Sequence, residues 1–71
     1  MKKNKIKINV NGEEVFIEQS STLFDLLDSL KINAAKIAIE LNGEIIPKST
    51  YKKSILKKGS KIEIVHFIGG G

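Results

Sequence analysis

The sequence predicts an α+β fold: a mixed sheet of four to five strands, one main helix packed on one face, and a flexible C-terminal glycine tail. Period-two alternation of apolar and polar residues recurs along the chain, an apolar stripe at helical spacing runs once, and Asn-Gly dipeptides stand where hairpins would turn. At 71 residues the chain is expected to form a single domain, residues 1–67, followed by a tail, residues 68–71. A domain of this size buries only about 60% of the surface its unfolded chain exposes. That leaves little room for a catalytic cavity.

The alternation begins at Lys5-Ile6-Lys7-Ile8-Asn9-Val10, which puts Ile6, Ile8 and Val10 on one side of a half-buried strand. Asn11-Gly12 suits a two-residue type I′ turn, where both central residues take positive φ. The return strand, Glu14 to Glu18, turns Val15 and Ile17 inward and Phe16 outward. Ser20 and Ser21 end the hairpin. Thr22 then reads as a helix N-cap, with Asp25 in the place of a capping-box acid.

Leu23, Leu26, Leu27 and Leu30 follow at i, i+3, i+4 and i+7, an apolar stripe that in so short a chain packs on its own sheet. Asn33-Ala34-Ala35-Lys36 is a linker. Ile37 to Leu41 is the third strand, Asn42-Gly43 repeats the hairpin signal, and Glu44-Ile45-Ile46 returns until Pro47, which cannot donate to a ladder. Ser49 to Leu56 is expected to be a short helical or irregular crossover that tucks Tyr51, Ile55 and Leu56 under the sheet. Lys58-Gly59-Ser60 turns into a last strand with Ile62 and Ile64 on one face, and Glu63, Val65 and Phe67 on the other. This order, with the helix joining two strands across one face and the last strand entering the centre beside the first, is that of the β-grasp, or ubiquitin-like, fold.

Composition removes several function classes. The absence of cysteine excludes disulfides, thiolate metal sites and a cysteine nucleophile. No metal site is expected, and no nucleophile, base pair or phosphate loop marks the chain as an enzyme. No apolar run approaches the roughly 20 residues needed to cross a bilayer, and alternation rather than an apolar signal core follows Met1-Lys2-Lys3. A cytoplasmic protein, unprocessed at its N-terminus and without a membrane partner, is therefore expected. The net charge of +4 rests on lysine alone, with Lys48, Lys52, Lys53, Lys57, Lys58 and Lys61 crowding residues 48–61. Base readout favours arginine, which is absent, and Phe16, Phe24, Tyr51 and Phe67 are not spaced as a stacking platform, so nucleic acid is not expected as a partner. His66, in phase with Ile62 and Ile64, lacks an evident acid or nucleophile partner and reads as a rim residue.

The end of the chain carries the functional signal. Ile68-Gly69-Gly70-Gly71 has little to bury, and glycine has the most backbone freedom to lose on ordering. It offers a thin strip of backbone ending in an unhindered carboxylate, and its three glycines, if extended, could reach about 10 Å past the last packed residue. Val65 and Phe67, on the strand face away from the helix, together with Ile68, form a candidate docking patch beside it.

Taken together, Ile8-Asn9-Val10-Asn11-Gly12-Glu13, Ser21-Thr22-Leu23-Phe24-Asp25-Leu26-Leu27, Glu40-Leu41-Asn42-Gly43-Glu44-Ile45-Ile46-Pro47, the stretch from Leu56 to Val65, and Gly70-Gly71 resemble the ThiS sulfur-carrier family of thiamine biosynthesis. The likeness covers nearly the whole chain and lies in the order and spacing of the blocks. It departs where the family often has Asp after the turn glycine and this chain has Ser60, and Gly69 stands where the family also uses other small residues. The resemblance implies that Gly71 is adenylated and converted to a thiocarboxylate, with Gly69 and Gly70 threading into partner active sites. The implied partners are an adenylating enzyme related to ubiquitin-activating enzymes, a persulfide sulfur donor and thiazole synthase. No cofactor would be bound; ATP would be used by the adenylating partner, and the chain, a monomer on its own, would be a co-substrate rather than a catalyst. Two readings stay open beside this one. The same fold and tail could serve another acceptor, as in molybdopterin-synthase small subunits or ubiquitin-like modifiers, although Val65-His66-Phe67-Ile68 lacks the Pro-Pro element common in the former. A small basic binding module with an idle tail is the other.

Overall fold

The computed structural model describes residues 4–67; the glycine tail and Ile68 lie outside that range. The chain runs β1 (Lys5–Val10), β2 (Glu13–Glu18), α1 (Leu23–Leu30), β3 (Ile37–Leu41), β4 (Glu44–Ile46) and β5 (Lys61–His66). The strands form one sheet in the order β2-β1-β5-β3-β4. β1 and β5 are parallel, and the other neighbours are antiparallel. The last strand therefore fills the centre of a mixed sheet, as expected from the order of the elements.

Both hairpins turn on their Asn-Gly pair. Asn11 and Gly12 take φ of 51° and 87°, and Asn42 and Gly43 take 52° and 89°, the positive values a type I′ turn requires. Each asparagine also reaches the central strand. Asn11 Oδ1 accepts from the Ile64 N–H at 2.7 Å while its Nδ2 donates to the Ile64 carbonyl at 3.3 Å. Asn42 Oδ1 accepts from the Lys61 N–H at 2.9 Å. The side chain of Asn11 thus continues the β1–β5 ladder past the point where β1 itself has turned away.

The helix starts as its caps dictate. Thr22 Oγ1 accepts from the Asp25 N–H at 3.1 Å, and Asp25 Oδ2 accepts from the Thr22 N–H at 2.9 Å, a reciprocal capping box that satisfies two amides with no helical partner. Its far end carries no glycine or asparagine. Lys31 itself adopts φ 59°, while the Ile32 N–H reaches the Leu27 carbonyl at 3.0 Å and the Lys31 N–H reaches Asp28 at 3.1 Å. That is a Schellman closure made with lysine in the left-handed position.

The core is one cluster. It joins Ile8, Val10 and Ile17 of the first hairpin, Leu23, Leu26 and Leu27 of α1, Ile37 and Ile39 of β3, Tyr51 and Leu56 of the crossover, and Ile62 and Ile64 of β5. Two expectations need correction. Leu30, the fourth member of the helical stripe, is 39% exposed, because α1 ends at that residue and Ile32, beyond the closure, packs against the core in its place. Ile55 is 54% exposed rather than tucked under the sheet. The chain there is extended and bridges Thr22, with Leu56 N–H donating to the Ser21 carbonyl at 2.7 Å, so alternation sends Leu56 in and Ile55 out. The crossover is otherwise a 3₁₀ helix, Lys48–Lys53, and the expected linker carries a second, Ala34–Lys36.

Ser60 answers the departure noted at the last turn. It is buried, and its Oγ accepts from the Lys57 N–H at 2.9 Å. The hydroxyl does the turn-capping a carboxylate would do, without placing a charge in a buried site.

Candidate functional site: the outer face of the sheet where β5 ends

The side of the sheet opposite α1 is set by strand alternation. Ile62 and Ile64 turn inward on β5, which leaves Lys61, Glu63, Val65 and then Phe67 outward. Register brings neighbours beside them. Ala38 lies directly across from Val65, and Glu40 directly across from Glu63. Ile45 lies across from Glu40 on β4, on the diagonal from Ala38. Val65, Phe67 and Ile45 are 56%, 55% and 75% exposed, and with Ala38 they form an apolar strip on the outer face where the last strand ends.

Charge frames this strip. Glu40 and Glu63 face each other across β3 and β5, an arrangement that costs a few tenths of a kcal/mol or more in like-charge repulsion. At the other end, Lys48 Nζ sits 5.2 Å from the centre of the Phe67 ring. The remaining exposed aromatics are elsewhere. Phe16 stands across from Lys7 on β1 and β2, and Phe24 of α1 lies under Lys52 at 4.8 Å.

Of the residues singled out in the sequence, Val65 and Phe67 fall on one surface, as the alternation implied. Ile68, Gly69, Gly70 and Gly71 lie outside the described residues, whose last member, Phe67, follows directly on the central strand. His66 is exposed at the rim, across from Ile37. Ala38, Ile45 and Lys48 were not singled out. Ile45 was legible in principle: Ile46 pairs with Ile39 in the inward phase, so its neighbour had to face out. Ala38 and Lys48 carry no local signal, because their places depend on contacts with residues far along the chain.

Among the described residues no group of three or more His, Cys, Asp or Glu is placed to hold a metal, and no helix is long and apolar enough to cross a membrane. A concavity of about 500 Å³ runs between β2 and α1 beside Ile17, Leu26, Asp25 and Asp28. It lies away from the end of β5, and its Asp25 is committed to the helix cap. Burial pushes the Tyr51 pKa above 10.0, and a hydrogen bond with the Ile39 backbone acts the other way. Its hydroxyl has no hydrogen-bond partner of good geometry among the described residues.

Comparison with known proteins gives the family. The model of the ThiS family matches residues 2–71. The chain belongs to the ThiS family. It is 38% identical over 65 residues to the sulfur carrier protein ThiS of Bacillus subtilis, covering 90% of this chain and 98% of that one. The crystal structure of the thiamine biosynthesis protein ThiS from Geobacter metallireducens superposes with a TM-score of 0.81 at 30% identity, covering 93% of this chain and all of that one. Membership in the ThiS family, with this fold, makes the chain a sulfur carrier of thiamine biosynthesis. A further relative, a thiazole synthase of Paramagnetospirillum magneticum, is 46% identical over 66 residues. The match covers 93% of this chain, but the chain spans only 20% of that protein's length. A stretch similar to this ThiS-family chain is thus part of a longer polypeptide named for thiazole synthesis.

Proposed function

We propose that the carried sulfur resides on Gly71, as a thiocarboxylate, and is delivered to thiazole synthase. A carboxylate resists substitution until one of its oxygens becomes a leaving group. An adenylating enzyme supplies this by joining the Gly71 carboxylate to the α-phosphate of ATP with loss of pyrophosphate. Sulfur from a persulfide donor then attacks the acyl carbon and AMP departs. Cleavage of the resulting sulfur–sulfur bond by a partner thiol leaves sulfur in place of oxygen on the chain. Gly70 and Gly71 suit this chemistry because neither carries a Cβ to shield the acyl carbon from the incoming sulfur. The chain is the carried substrate, and the catalysts are its partners.

The observation that carries this reading is the position of β5. The strand that leads to the glycines lies in the middle of the sheet, paired on both edges, and Phe67 just past its end stands with Val65, Ala38 and Ile45 in the apolar strip. A partner that grips the strip has the Gly71 carboxylate tethered four residues from Phe67, which raises its effective concentration at the partner's site. The similarity to one segment of a longer thiazole synthase supports thiazole synthase as the acceptor enzyme, since a carrier joined to its acceptor would find it at high effective concentration.

The test is intact-mass spectrometry after incubation with the adenylating enzyme, ATP and a persulfide donor. The expected result is one oxygen-to-sulfur exchange located at Gly71, and no exchange after deletion of Gly70 and Gly71. An exchange found elsewhere on the chain, or none with partners active on another carrier, overturns the reading.

A further inference from the structure

Lys48 stands where three parts of the chain meet. Its Nζ donates to the Ile37 carbonyl at 2.7 Å and lies 5.2 Å from the centre of the Phe67 ring. The first contact completes a ladder. Ile39 pairs with Ile46, and alternation turns the Ile37 carbonyl toward the same side, where β4 has already ended and the backbone of Lys48, which the register would put opposite, has entered the 3₁₀ helix. The ammonium supplies the missing donor. Phe67 is held from the other side as well, its N–H donating to the Lys36 carbonyl at 3.0 Å. The last described residue before the glycine tail is therefore pinned through its backbone to the turn preceding β3 and through its ring to Lys48.

Resting on the proposed sulfur-carrier reading, we infer that Lys48 is a positioning residue: it holds the Phe67 ring in the orientation that the activating enzyme grips beside the apolar strip. Phe67 is more than half exposed, so burial alone does not hold its ring, and the lysine contact is what selects its orientation. A cation over an exposed aromatic ring biases such an orientation by about two- to fivefold. A bias of that size enters the apparent affinity of the partner directly, because only the correctly oriented fraction binds. Once the carboxylate is seated, the chemistry is the enzyme's own, so turnover is unaffected.

Lys48→Met keeps the aliphatic stem and removes the charge. The expected outcome for adenylation by the activating enzyme is a KM for the carrier raised about two- to fivefold, unchanged kcat, an unfolding midpoint lowered by roughly 4–8 °C through loss of the bond to Ile37, and restoration of KM by Lys48→Arg. Phe67→Leu removes the ring, and the cycle is closed with the double variant. If Lys48 acts through Phe67, the double variant has the KM of Phe67→Leu alone; if the effects multiply, Lys48 meets the partner directly and the inference is overturned. An unchanged KM in Lys48→Met overturns it too. Amide exchange of the Phe67 N–H in the free protein separates this inference from the function it rests on. Should the wild-type chain never be adenylated, the function fails, while Lys48→Met must still speed exchange at Phe67 for the anchor to stand.

Discussion

The two Asn-Gly turns offer an experiment in which one acts as the control for the other. Asn11 and Asn42 have φ of 51° and 52°, precede a glycine of positive φ, and connect antiparallel strands by the same two-residue geometry. Replacing either by glycine keeps the turn and adds the same unfolded-chain entropy, about 0.5–1 kcal/mol. The side chains differ in what they hold. Asn11 makes two bonds to Ile64, at 2.7 and 3.3 Å, in a partly buried setting, whereas Asn42 makes one exposed bond to Lys61 at 2.9 Å. Each net bond is worth about 0.5–1.5 kcal/mol, and a stranded buried partner costs about 1–3 kcal/mol. Asn11→Gly is therefore expected to cost about 1.5–4 kcal/mol and Asn42→Gly about 1–2.5 kcal/mol. The difference of about 1 kcal/mol corresponds to roughly 4–8 °C in melting temperature for a domain of this size. Urea unfolding with a shared m-value measures it. Equal losses in the two variants would refute the reasoning, since the turn common to both, and not the ladder through Asn11, would then account for the whole cost.

Other outcomes follow from single residues. Lys31→Gly relieves a lysine held at φ 59° and is expected to raise stability by about 1 kcal/mol by denaturant titration; a loss would mean that the lysine stem packs usefully on α1. Tyr51→Phe removes a buried hydroxyl without a good partner and should be neutral or stabilising by up to about 1 kcal/mol near pH 7. Because burial raises the Tyr51 pKa above its unfolded value of 10.0, the phenol favours folding fully below that pH and loses its contribution as pH rises through the folded value. Wild type should thus destabilise more steeply than Tyr51→Phe above about pH 10, and parallel stability curves for the two would contradict the assignment. Phe67→Asp places a carboxylate in the apolar strip and is expected to weaken binding to the activating enzyme at least tenfold by calorimetry, with little change in thermal unfolding.

How much of this was legible beforehand depended on how local the cause is. The Thr22–Asp25 cap, the two Asn-Gly turns and the inward phase of Ile6, Ile8, Ile62 and Ile64 are each decided within a few residues, and the structure follows them. Leu30 and Ile55 went the other way for reasons that periodicity does not contain. A helix closed by Lys31 in the left-handed region has no glycine to announce its end, so the apolar stripe reads one residue too far. Ile55 faces out because residues 54–56 bond to the backbone at 21–23, a pairing across more than thirty positions that no local pattern encodes. The candidate surface divides the same way. Val65 and Phe67 follow from alternation along one strand, while Ala38 enters only through the register of β3 on β5 and Lys48 only through the place where β4 stops.

That division also explains why the site stands where it does. β5 is the last strand made, yet it completes the sheet from the middle: its partners lie on β1 and β3, and both turn asparagines spend their side chains on it. Until Lys61–His66 is in place, the first hairpin and the β3–β4 pair have no sheet in common. Folding is thus expected to be completed by the same segment that leads directly into the glycines, so Phe67 takes its place only in a chain whose core has already closed. Native-state hydrogen exchange tests this coupling. Ile62 and Ile64 amides should exchange only by global unfolding, at the rate set by the full stability of the domain. If they open with a lower free energy than the β1–β2 hairpin, the central strand can detach by itself, and the chain end is not anchored to the folded core.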